Sequence, residues 1–146
     1  MPVSKEAVGK QWPPVVYEAG REKIREYANV IGAQNPVHFD REAALAAGYR
    51  DVVAPPMFCV VYSAAAIVPG IFDPDVGINF ATMVHGGQEF VWGEPVCAGD
   101  ELTTKATLTD VHQKDDKGFY VFETESTNQE SQQTVRGVWT QIVRGA

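Results

Sequence analysis

The spacing of apolar residues changes period several times along this chain, and each change marks an element. Val15-Val16-Tyr17 follows Pro13-Pro14 and reads as an edge strand, because prolines are tolerated where a strand begins. From Arg21 the period becomes helical. Ile24, Tyr27, Ala28 and Ile31 share one face, Glu22 near the start and Arg25 beyond it suit the helix dipole, and Gly32 ends the helix. Asp40 is placed to cap a second short helix, Arg41 to Ala47, with Gly48 as its left-handed terminator. Between the two helices, Pro36 disfavours helix at Asn35, so 33–39 is a structured turn.

Beyond it, Ala54-Pro55-Pro56-Met57 leads into a run, Met57 to Val68, that is apolar on every face. Two prolines suit the first turn of a helix, and a helix of this kind has to be covered on all sides until Pro69-Gly70 stops it. The remainder reads as strands: Phe80–Trp92 with a bulge at Gly86-Gly87, Leu102–Val111 with Leu102, Ala106 and Leu108 on one face, then Phe119–Thr127 and Thr134–Val143. Lys114–Gly118 supplies a hairpin turn. No repeat, low-complexity stretch or linker interrupts the pattern. The expected architecture is α+β, an antiparallel sheet wrapped around a long buried central helix, which is the hot-dog fold, with residues 1–146 as a single domain. Such a sheet keeps an open edge, so a homodimer or a partner of the same fold is expected.

Composition narrows the function classes. Apolar residues make up 45% and charged residues 21% of 146 positions, enough for one substantial core. The formal charge of -7 repels polyanions, which argues against nucleic acid. An acyl thioester of coenzyme A or of a carrier protein is anionic too and would need a local basic mouth. Cys59 and Cys97 stand far apart among apolar neighbours with no short-spaced His or Cys, so both read as reduced core thiols and neither a metal nor a cofactor is expected. Met57–Val68 is too short to span a bilayer, and Met1–Lys10, with Lys5 and Glu6, has no apolar signal-peptide core; the expected location is cytoplasmic, with no membrane partner.

The turn Gly32-Ala33-Gln34-Asn35-Pro36-Val37-His38-Phe39-Asp40, followed by Ala43 and Ala44, resembles the signature of the MaoC-like (R)-specific enoyl-thioester hydratase/dehydratase family, Gly-Asp-x-Asn-Pro-x-His-x-Asp before a short helix. Gly48-Tyr49-Arg50 to Ala54-Pro55-Pro56-Met57 is similar to the approach to that family's central helix. His85 to Phe90 and Pro95-Val96 to Gly99-Asp100-Glu101-Leu102 are similar to its strand motifs. The likeness is to the N-terminal-type dehydratase domain, which includes the non-hydratase subunits of mycolic-acid dehydratases. The resemblance implies a signature Asp and His that handle the water added to, or lost from, a trans-2-enoyl thioester, and a backbone N–H at the start of the central helix that steadies the enolate oxygen. His38 matches the His. Ala33 stands at the Asp position, and Pro56 where the family commonly has the Gly that supplies the N–H. Loss of a general acid or base costs about 10²- to 10⁴-fold, and loss of one oxyanion donor about 10²- to 10³-fold. The resemblance therefore implies a degenerate site that keeps His38, with catalysis mainly in a partner chain.

Plainer readings stand beside these. A lone His in a turn can be a hydrogen-bonded structural residue, and the Asn35 and Asp40 side chains can serve neighbouring backbone. Asn35, Met57 and Tyr62 are the candidates for substrate contact; Tyr62 and Ser63 either face a tunnel or satisfy each other. His85 and His112 read as ordinary surface or strand residues. Three functions compete: a subunit of an enoyl-thioester hydratase or 3-hydroxyacyl-thioester dehydratase that shapes the acyl tunnel, a homodimeric acyl-CoA-binding protein without hydratase activity, and a hot-dog thioesterase. The third lacks an acidic residue anywhere in Met57–Val68 to activate water.

Overall fold

The computed structural model describes residues 3–145; Met1, Pro2 and Ala146, at the ends of the expected 1–146 span, lie outside it. The elements run β1 (Val15–Glu18), α1 (Arg21–Val30), α2 (Arg41–Ala46), α3 (Cys59–Ser63), α4 (Val68–Ile71), β2 (Met83–Trp92), β3 (Glu101–Lys114), β4 (Lys117–Thr127) and β5 (Gln133–Arg144), with 3-10 turns at Pro36–His38, Pro56–Phe58, Ala64–Ala66 and Phe80–Thr82. All strand pairs are antiparallel, in the order β1-β3-β4-β5-β2, so β1 and β2 are the two edges.

Side-chain alternation decides which face of the sheet is covered. On β3, Leu102, Thr104, Ala106 and Leu108 point inward; a bulge between Leu108 and Asp110 shifts the register so that Val111 continues the buried row. The helical segments pack on that face and divide the core in two. Ile67 and Ile71 meet Leu108, Val111 and Phe122, while Phe58, Cys59 and Tyr62 meet Ile24, Leu102 and Val135. Each such fully buried aliphatic or phenyl side chain contributes about 1.5–3 kcal/mol. This is the hot-dog arrangement.

The central segment departs from the uninterrupted, fully covered helix that its composition suggests. It is a chain of short pieces from Pro56 to Ile71, 3-10, α, 3-10 and α in turn. Ser63 turns its hydroxyl onto the Cys59 carbonyl at 2.5 Å, a local bond that competes with the helix ladder where α3 ends. Pro69 falls in the first turn of α4, where its missing N–H costs nothing, so helix continues to Ile71 instead of stopping at Pro69-Gly70. Cover is one-sided as well: Met57, Ala65, Val68 and Phe72 recur at helical spacing and are exposed. On the covered side of this segment Gly70 packs closely, since a Cβ there would come within 2.5 Å of Phe122.

Elsewhere the differences are at element ends. Asn79 caps a 3-10 turn over Phe80–Thr82, so β2 begins at Met83, later than the apolar pattern suggests. The bulge in β2 falls between His85 and Gly87. The β3–β4 turn tightens to Asp115-Asp116, with Asp115 at φ 56, and both strands run further toward it than expected.

Candidate functional site

The signature turn is built by its own backbone chemistry. Gly32, at φ +72, lets the chain leave α1, and the Ala33 N–H donates back to the Ala28 carbonyl at 2.9 Å. The Asn35 side chain accepts from the Val37 N–H at 3.2 Å, and Pro36 occupies the first position of the following 3-10 turn. His38 ends that turn, and the Asp40 carboxylate then accepts from the Glu42 N–H at 2.9 Å, capping α2. The turn is stitched to the next segment where the Val53 N–H donates to the Val37 carbonyl at 2.9 Å. In return, the half-buried His38 imidazole meets the Val53 carbonyl through Nδ1 at 2.6 Å. A carbonyl can only accept, so Nδ1 donates its proton there, which leaves Nε2 as the ring nitrogen not used by this bond.

That imidazole lines a cavity of about 290 Å³. The volume lies at the small end of the range of about 300–1,000 Å³ usual for small-molecule sites. Asn35, Val37 and His38 come from the turn, Val53 to Pro56 from the approach to the helix, Phe58, Cys59 and Tyr62 from the helix itself, Trp92 to Val96 from the end of β2, and Thr134 from the start of β5. Val53, Ala54, Phe58 and Val96 are buried and apolar. The last turn of wall depends on Gly93: a Cβ there would come within 2.2 Å of the Gln133 carbonyl. Trp92 closes the rim, donating its indole N–H to the Pro56 carbonyl at 2.9 Å while 49% exposed. Inside, the Tyr62 hydroxyl donates to Thr134 Oγ1 at 3.2 Å, and the Thr134 hydroxyl donates onward to the Ser126 carbonyl at 3.3 Å. Burial pushes the Tyr62 phenol up and the Cys59 thiol up to about 11, so both are neutral near pH 7.

Two carboxylates brace the wall behind the cavity. Asp51 accepts from Arg21 at 2.9 Å, from Arg41 at 3.3 Å and from the Val52 N–H at 2.7 Å. The Arg21 guanidinium is the main cause that holds its carboxyl down to about 2, with Val52 N–H and Arg41 assisting against burial. Asp100 is fully buried. Burial pushes its carboxyl up, but Arg50, the Cys97 N–H and Gln129 together outweigh that and keep it below the ordinary value. Asp51 thus ties its segment to α1 and α2, while the Arg50–Asp100 pair ties it to 97–100, beside the bonds from the Ala54 N–H to the Val96 carbonyl and from the Ala98 N–H to the Val52 carbonyl.

Of the residues singled out from the sequence, His38, Asn35 and Tyr62 converge on one cavity. Ala33, at the position of the signature Asp, does not line it, and Met57 lies outside, 44% exposed at the first turn of the helix. Tyr62 and Ser63 satisfy different partners and not each other. The sequence pattern does not single out Trp92, Glu94, Cys59 or Thr134 as site residues; the first three lie near the motifs at 54–57 and 95–102, their one sequence signal, whereas only strand pairing delivers Thr134. Among the described residues, Glu94 is the one carboxylate on the cavity wall. Among the described residues there is no cluster of three or more His, Cys, Asp or Glu able to hold a metal, and no helix is long and apolar enough to cross a membrane.

Comparison with known proteins places this geometry in context. Residues 6–136 match the family described as the FAS1-like dehydratase domain region. A UPF0336 protein of Clavibacter michiganensis is 42% identical over 99% of this chain and 98% of its own length. Among solved structures, the C-terminally truncated HadBC (3R-hydroxyacyl-ACP dehydratase) complex of Mycobacterium tuberculosis superposes with a TM-score of 0.82 at 28% identity, over 94% of this chain and 98% of that one. A MaoC-like dehydratase superposes with a TM-score of 0.86 at 27% identity, over 97% of this chain and 43% of that one.

Proposed function

From the premise that the chain belongs to the FAS1-like dehydratase-region family and is a hot-dog subunit of the MaoC-like hydratase/dehydratase type, we propose that it shapes the acyl site of a heteromeric enoyl-thioester hydratase or 3-hydroxyacyl-thioester dehydratase whose acid/base chemistry sits mainly in a second hot-dog chain. The observation that carries this reading is the composition of the cavity. It has an oriented imidazole, His38, but the signature acid is absent, its position being taken by Ala33 outside the wall, and Pro56 has no N–H to offer an enolate oxygen. What remains is a pocket with an apolar section, Val53, Ala54, Phe58 and Val96, suited to holding an acyl chain.

In the reaction, water adds across the double bond of a trans-2-enoyl thioester, or leaves a 3-hydroxyacyl thioester. On this reading the partner supplies the Asp and His that move the protons, while this chain positions the acyl group and excludes bulk water. Support for a partner comes from the HadBC dehydratase, which is a complex, and from β2. That edge strand leaves one side of its backbone unpaired and exposes Val84, Val91 and Trp92, close in sequence to exposed Phe72 and Phe80.

The decisive experiment is a hydration assay of the purified chain with a short trans-2-enoyl-CoA, alone and with a hot-dog chain that retains the complete signature. Turnover is expected only in the mixture. Robust turnover by the chain alone overturns the proposal and turns attention to Glu94 as a substitute acid; acyl-CoA binding without turnover in any mixture supports a homodimeric binding protein instead.

A further inference from the structure

Inside the cavity, the wall contributed by the central helix ends abruptly. Pro56, Phe58, Cys59 and Tyr62 line it, and no residue from Ser63 to Ile71 does. At a rise of about 1.5 Å per residue, Tyr62 lies only about 9 Å beyond Pro56 along the helix. There the Tyr62 hydroxyl bonds Thr134 across the cavity, and Thr134 bonds the Ser126 carbonyl of the next strand, while Ser126 Oγ shares a 2.7 Å bond with Thr104. All four residues are at most 3% exposed. Tyr62 packs in the same core cluster as Leu102 and Val135, both with no exposed surface, so no open path continues past the ring. Ala66, one helical turn further on, already belongs to the other core cluster.

We infer that the Tyr62–Thr134 hydroxyl pair is the floor of the acyl pocket and that this chain selects short acyl thioesters, an inference that rests on the acyl-binding reading above. A longer chain would have to part a buried hydrogen bond, leave hydroxyls without partners and displace close-packed side chains. A short chain ends in the apolar section between Phe58 and Val96 and disturbs none of these. Tyr62 is then a specificity-determining residue: its ring sets the depth, and Thr134 holds the ring in place.

The test is calorimetric titration of the full chain, and of its complex with the hydratase partner, with saturated butyryl-, hexanoyl- and dodecanoyl-CoA, and with free coenzyme A as the control. Wild type should bind butyryl- or hexanoyl-CoA at least about tenfold more tightly than dodecanoyl-CoA, within the range by which a filled pocket discriminates chain length. Tyr62→Ala should remove that preference by admitting the dodecanoyl chain, and Thr134→Val, which keeps the volume but loses the bond, should weaken it. Dodecanoyl-CoA binding to wild type as tightly as hexanoyl-CoA overturns the floor and leaves the acyl-binding reading standing. No acyl-CoA binding above that of free coenzyme A overturns the acyl-binding reading itself, and the inference with it. Because the wild-type preference is read without any variant, an unfolded Tyr62→Ala does not shield the inference.

Discussion

His38 commits Nδ1 to a backbone carbonyl, Asn35 spends its side chain on the Val37 N–H, and Asp40 spends its carboxylate on the Glu42 N–H, so much of the signature turn's polar equipment maintains the turn itself. The ring itself lines a cavity that Ala33, at the signature Asp position, does not reach. His38→Ala in the assembled enzyme is therefore expected to lower kcat by less than about tenfold, well short of the 10²- to 10⁴-fold loss of a removed general base. Steady-state kinetics of the complex checks this, and a loss in the larger range would assign His38 to the chemistry. At this scale the sequence was readable where chemistry is local. The positions of Asn35, Pro36, His38 and Asp40 follow from turn and cap preferences between neighbours. Thr134 was not readable, because its hydroxyl reaches Tyr62 only through the register of a strand 72 residues away.

Among elements, the strands were legible because a period of two survives pairing, and Leu102, Ala106 and Leu108 do share the buried face. The central segment shows what composition leaves out. A run apolar on every face suggests one helix covered all round, yet it breaks into 3-10 and α pieces after Ser63, and the Met57, Val68 and Phe72 side stays open. Its inner side is packed tightly. A Cβ on Gly70 would lie 2.5 Å from Phe122 Cε1 and 2.9 Å from Trp12 Cη2, so both aromatic rings would have to move. Gly70→Ala is expected to destabilise the fold by about 1–3 kcal/mol, the usual cost of overpacking, measurable by urea denaturation with an unchanged m-value.

For the molecule as a whole, the acidic groups that hold the segments together define an acid limit. Asp51, between Arg21 and Arg41, has its carboxyl held down to about 2, and Lys10 is the main cause holding Asp73 to about 2 as well, helped by the Asp75 N–H and the Trp12 indole. A carboxyl lowered on folding binds its proton more readily in the unfolded chain. Its stabilisation is complete above its ordinary value near 3.8 and is lost as pH falls from there toward 2. Thermal unfolding across that window should therefore show a falling Tm. Asp51→Asn should lower Tm at pH 7 and flatten the decline, and an unchanged slope would show that Asp51 contributes nothing to it. The overall architecture was within reach of the sequence because the order of elements leaves few ways to cover an apolar helix. The cavity's depth was not, since it depends on where two distant hydroxyls meet.

The indole that bridges the rim to the Pro56 carbonyl gives the protein a built-in optical reporter. Of its three tryptophans, Trp139 is buried against Thr124 and Trp12 leans on Phe122 with its N–H on Asp73, whereas Trp92 borders both the cavity and bulk water. A bound acyl thioester would strip water from that ring and shift its emission to the blue. Trp92→Phe should abolish the shift while the other two fluorophores keep emitting, which turns occupancy of the cavity into a direct spectroscopic titration.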